Sequence, residues 1–136
     1  MKWLPILRPT WWLTVGLLAL AFPATAPAGG DAEEGKKTYD LLCGICHGIT
    51  GAGDGPAGSA IDPPPRNFNL GEFKFDADKD GVTGTDEDLF VVIKKGGAPF
   101  GGNPVMVPWV QLSDQQIANL IVYIRSLRTE PAISSR

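Results

Sequence analysis

The sequence predicts an all-α chain of about three main helices joined by glycine- and proline-rich loops, and three observations carry that prediction. Apolar residues recur at helical spacing around 32–46, 86–95 and 114–128. Each stretch has a polar start signal, and the last two end in basic residues. Most of the 17 glycines fall between the stretches, where regular structure is not expected. No strand alternation, internal repeat or phosphate-binding loop interrupts the pattern.

The 136 residues suit one domain plus a targeting segment. Lys2 and Arg8 precede the apolar run Trp11–Phe22, and Ala26-Pro27-Ala28 reads as a small-residue cleavage site before Gly29. That is the layout of a secretory signal peptide over 1–28, cut after Ala28, with the functional domain over 29–136. The other reading, an uncleaved membrane anchor, meets an apolar run shorter than the roughly 20 residues a spanning helix prefers. Removing Lys2 and Arg8, and no acid, takes the formal net charge from −3 to −5. Such a surface argues against nucleic acid and points to a protein partner with a basic docking patch.

Asp31 can cap a first helix from about Ala32 to Cys46, with Glu34 completing a capping-box-like pair. Gly35, Tyr39, Leu42, Cys43 and Cys46 form its buried stripe. A mid-helix glycine costs about 1 kcal/mol against alanine, so Gly35 is either tolerated noise or a place where another backbone comes close. Residues 48–65 hold five glycines, Pro56 and the run Pro63-Pro64-Pro65. They read as a wall wrapped closely round a ligand. Thr85 caps a second helix, Asp86 to about Lys95, with acids in its first turn and Lys94-Lys95 in its last, matching the helix dipole. Met106 lies in the irregular stretch 96–109. Ser113 caps the final helix, with Gln116 at the capping-box position and Leu112 and Ile117 as a hydrophobic staple. Ile117, Leu120, Ile121 and Ile124 line its apolar face.

Chemistry concentrates in Cys43-Gly44-Ile45-Cys46-His47, the C-x-x-C-H signature of covalent haem attachment. Each thiol would add to a porphyrin vinyl group, and the adjacent imidazole would ligate the iron. The competing readings are a disulfide, a thiol redox pair and half a zinc site. Zinc needs four ligands, and the chain holds two cysteines and one histidine. A redox pair of the thioredoxin kind wants a βαβ context, which is missing. The sixth iron position is either open or filled. Once residues 1–28 are removed, Met106 is the remaining methionine, and it sits in a loop rather than on a helical stripe. A methionine commonly just fills core. A His/Met pair raises the reduction potential of a c-type haem.

These residues resemble class I c-type cytochromes of the small bacterial monohaem type, over almost all of 32–128. Gly35 and Tyr39 are similar to that family's first-helix glycine and aromatic, and Leu120 and Tyr123 to residues of its last helix. Cys43–Gly48 followed by Gly51, Gly53, Asp54 and Gly55 resembles its haem loop. The resemblance implies a cytochrome c-like fold with the first and last helices crossing at Gly35. It implies one covalent haem c, iron ligation by His47 and Met106, and a Pro56 carbonyl accepting the His47 Nδ1–H. Asp86–Phe90 and Met106–Trp109 resemble a subgroup in which proline directly follows the methionine; here Val107 intervenes. Trp109 either packs on the haem edge beside Met106 or fills core.

The function implied is one-electron transfer without substrate chemistry, in the periplasm, between redox protein donor and acceptor. His47 is spent on iron, leaving no histidine as a general base. Two other readings stay open: a membrane-tethered or complex-bound electron-input subunit, and a haem sensor or peroxidase-like protein with a displaceable ligand.

One acidic stretch stands apart. Asp76, Asp78, Asp80, Gly81 and Glu87 match the calcium-loop pattern D-x-[DN]-x-[DN]-G-x5-E, with the Val82 carbonyl as a further ligand. The plainer reading is a hydrated turn leading into an acidic helix start.

Overall fold

The computed structural model describes residues 29–129, so the expected export segment over 1–28 lies outside the described residues, as does Pro131. Four α-helices follow in order: α1 (Ala32–Leu42), α2 (Gly44–His47), α3 (Asp86–Lys95) and α4 (Asp114–Ser126). Short 3₁₀ turns occupy Phe68–Leu70 and Ala98–Phe100, and among the described residues there is no strand. Nor is any described helix long and apolar enough to cross a membrane.

The cap signals act where the sequence puts them. Asp31 accepts hydrogen bonds from the Glu33 and Glu34 amides. Thr85 and Asp88 form a reciprocal capping box at α3, and Ser113 and Gln116 form another at α4. Each box satisfies two backbone amides, those of the cap residue and of the third helical residue.

The first helix ends earlier than expected. Cys43, with φ −110°, falls off the helical value of about −63° and interrupts the run that was to reach Cys46. Its amide still reaches the Tyr39 carbonyl at 2.8 Å, while the His47 amide bonds back to the Cys43 carbonyl at 2.9 Å. Gly44, a poor helix former, follows the break directly, so little propensity resists it.

Packing is built on α1 against α4. A Cβ at Gly35 would collide with the Asn119 backbone carbonyl, so the glycine permits the backbone approach expected of it. Tyr39 and Ile117 are 0% exposed and Leu120 1%, with Leu89, Ile93, Ile121 and Ile124 completing the same core. The Tyr39 hydroxyl donates to the Gly48 carbonyl at 2.8 Å, and its ring meets Tyr123 edge-on at 5.1 Å. Burial of that ring is therefore not bought at the expense of an unsatisfied hydroxyl. At the other end, Lys94 Nζ donates to the Leu112 carbonyl and Arg125 binds the Gly84 carbonyl and Asp86. These contacts tie the ends of α3 to α4.

Candidate functional site

A cleft of about 340 Å³ opens between α2, α3, α4 and the loop after α3. Cys43, Cys46 and His47 line it from the C-x-x-C-H turn. Leu89, Val92 and Ile93 line it from α3, and Leu120 and Ile124 from α4. Pro63, Pro64 and Pro65 add a stiff apolar wall. The glycines before them serve differently. A Cβ at Gly55 would clash with the Ile45 and Cys46 backbone, and the Gly55 amide donates to the Cys46 carbonyl at 3.1 Å. This half of the loop backs the attachment turn; the half over Ile61–Pro65 faces the cleft.

His47 is held by two contacts. Its Nδ1 lies 3.1 Å from the Arg66 carbonyl, and its ring stacks on Phe68 at 4.5 Å with 15° between the planes. Burial holds its pKa below the ordinary imidazole value, against an opposing effect of the Arg66 bond. A neutral ring whose Nδ1 faces a carbonyl must carry its proton there, leaving the Nε2 lone pair for a metal. The carbonyl that orients the imidazole is thus that of Arg66, correcting the expectation of Pro56. Pro56 is not among the residues lining the cleft, and its carbonyl accepts instead from the Ser59 hydroxyl at 3.3 Å. Gly55 and Gly58 pack on the Cys46 backbone, which draws Pro56 into that turn, while the proline run delivers Arg66 beside the imidazole.

The two thiols are half-buried and not joined to each other. Burial, with the neighbouring Cys46, pushes the Cys43 thiol up to about 12. Reactive redox cysteines have depressed values, so this pair is a poor thiol–disulfide catalyst. Two thiols and a neutral imidazole on one apolar cleft fit a covalently attached haem.

Met106 and Trp109 line the same cleft. The Met106 carbonyl accepts from the Gly97 amide at 2.9 Å, and its amide donates to the Asn103 carbonyl at 3.1 Å. The Asn103 side chain crosses to the Asp62 carbonyl at 2.8 Å, joining this loop to the proline wall. Trp109 donates its amide to the Ile93 carbonyl at 3.0 Å and packs against the core.

The acidic loop gathers Asp76, Asp78 and Asp80, whose carboxylate oxygens lie within 4.8 Å of one another. Glu87 does not join them. It is exposed in the first turn of α3, and Val82 turns its amide to Asp80 Oδ1 at 2.7 Å. The Asp78 and Asp76 carboxylates likewise accept from the Asp80 and Gly81 amides, as in an ordinary Asx-rich turn. Of the five residues of the calcium pattern, Asp76, Asp78 and Asp80 therefore gather, with one Asp76 oxygen buried and unpartnered, while Glu87 stands outside the group.

Asp88 is a feature the sequence reading passed over. It is 1% exposed and lines the cleft. Burial alone would raise its carboxyl, but bonds from the Thr85 amide and hydroxyl and the Ala77 and Asp78 amides outweigh this and hold it below the usual carboxylate value. The Thr85-x-x-Asp88 spacing was the available signal, since an N3 acid completes a capping box.

Comparison with known proteins agrees with this geometry. Cytochrome c-554(547) of Halothiobacillus neapolitanus is 32% identical over 102 residues, covering 73% of this chain and 99% of that protein. A chain of the reducing HAO-like protein complex of Kuenenia stuttgartiensis superposes with a TM-score of 0.62 at 34% identity, over 80% of this chain and 50% of that one. The sequence profile described as cytochrome c matches residues 32–128, which span the attachment turn, the cleft and α4, and the chain belongs to the cytochrome c family.

Proposed function

We propose that the protein is a periplasmic one-electron carrier holding one covalent haem c, with His47 and Met106 as the axial ligands of the iron. The observation that carries the reading is the convergence of Cys43, Cys46, His47 and Met106 on one apolar cleft. Bound there, the haem supplies a reversible one-electron couple. Cys43 and Cys46 would hold it as thioethers. Arg66 keeps the His47 proton on Nδ1, and the α3 and α4 side chains exclude water. With His47 and Met106 both holding the iron, no open position would be left for a substrate, which favours a carrier over an enzyme. The acidic balance suits redox partners with basic docking surfaces. The periplasmic location is supported by the export signal read in residues 1–28.

The absorption spectrum of protein matured in a periplasm tests this. A c-type reduced spectrum with a methionine–iron charge-transfer band is expected, and Met106→Ala should abolish that band while leaving the haem attached. A band that survives Met106→Ala would remove it as the sixth ligand.

The structural likeness to a chain of a protein complex favours one second reading, a complex-bound electron-input subunit. Sedimentation of the native protein decides it: a monomeric carrier runs at its own mass. Calcium bears on neither reading: a melting temperature raised by calcium and lowered by chelator would place the ion in the acidic loop, and an unmoved one would leave a hydrated turn.

A further inference from the structure

Besides the thiols and His47, three ionisable side chains line the cleft: Arg66, Lys74 and Asp88. Lys74 is exposed and Arg66 half-buried, so solvent screens their charge. Asp88 is 1% exposed. Its Oδ1 accepts from the Ala77 and Asp78 amides, and its Oδ2 from the Thr85 amide at 2.9 Å and hydroxyl at 3.0 Å. Four donors stabilise the carboxylate, yet no lysine or arginine pairs with it among the described residues. Hydrogen bonds of this kind favour the ionised form without cancelling its charge.

Capping does not require that charge. At α4 the same N3 position is filled by Gln116, which accepts from the Ser113 amide at 2.9 Å with a neutral amide side chain. Both boxes satisfy the same two backbone amides of their helices, but among the described residues the one at α3 also binds the Ala77 and Asp78 amides and buries an anion in the cleft wall.

We infer that Asp88 sets the redox poise of the cleft, its buried, unneutralised carboxylate lowering the reduction potential of the haem held there. The inference rests on the carrier reading above. The oxidised haem carries one more positive charge than the reduced one, and a fixed negative charge in a weakly polar wall stabilises it more. One electron arrives from a donor protein and leaves to an acceptor protein. Asp88 exchanges neither electron nor proton and acts only through its field.

Redox titration of the exported, haem-loaded protein tests this at fixed pH and ionic strength. Asp88→Asn and Asp88→Ser both remove the charge while keeping an oxygen at the cap, and each should shift the midpoint potential upward with the haem bands retained. Thr85→Ala loosens the same cap but keeps the charge. Admitting water to the cleft favours the more charged oxidised form, so this variant should hold or lower the potential. An unchanged or lower midpoint in either neutral variant that retains its haem bands overturns the inference. An equal rise in Thr85→Ala overturns it too. A wild-type protein without c-type bands would instead overturn the carrier reading, which is a separate result.

Discussion

His47 ends a helical turn, bonds through its ring to the Arg66 carbonyl, stacks on Phe68 and accepts at its own carbonyl from the Gly53 amide. Met106, on the other hand, sits in an irregular loop, half-buried, held by two backbone bonds and by the reach of Asn103 to Asp62. Both line one cleft. The imidazole is held by a carbonyl and a buried ring, whereas the thioether is placed by a loop with few contacts of its own. A ligand held by core packing is costly to move, whereas one held by a few loop bonds yields first.

Three substitutions probe that contrast, and the largest effect belongs to the histidine side. Phe68→Ala removes the buried ring under His47, which also stacks on Phe73 at 5.9 Å and meets Tyr39 at 6.2 Å. It should cost about 3–5 kcal/mol in denaturant unfolding, the usual range for a buried phenylalanine. A cost below that of Met106→Ala would dissolve the asymmetry. Met106→Ala, at a half-buried loop position, should cost only about 1–2 kcal/mol, less than the 2–5 of a buried methionine. Smallest is Asn103→Ala, which cuts the bond to Asp62 and should cost about 1 kcal/mol. It should also speed carbon monoxide binding to the reduced protein, as the methionine loop loses its tie to the proline wall. Equal binding rates in wild type and variant would show that this tie does not restrain Met106.

The opposite fates of the two N3 residues show what can be read from a string of residues. Both capping boxes were visible as spacings, but Gln116 is exposed and Asp88 is buried in the cleft wall. Spacing reports which local bonds can form; it does not report what packs over them. Glu87 shows the converse. It stands at the right count for a calcium loop, in the first turn of α3, yet the carboxylates that gather are those of Asp76, Asp78 and Asp80 without it.

By itself the sequence determined the attachment turn, the caps of α3 and α4 and the apolar stripe of α4, while at Gly35 it left a choice that the contact with Asn119 settles. The first three depend on residues near one another in the chain. Tertiary structure alone decided that the Arg66 carbonyl, not that of Pro56, accepts the hydrogen bond from His47 Nδ1–H. It also decided that the helix breaks at Cys43 and that Asp88 is sealed beside the cleft. A backbone carbonyl is the same in every residue, so nothing in a sequence marks which one an imidazole will meet. Long-range packing makes that choice, because it fixes which segments lie side by side.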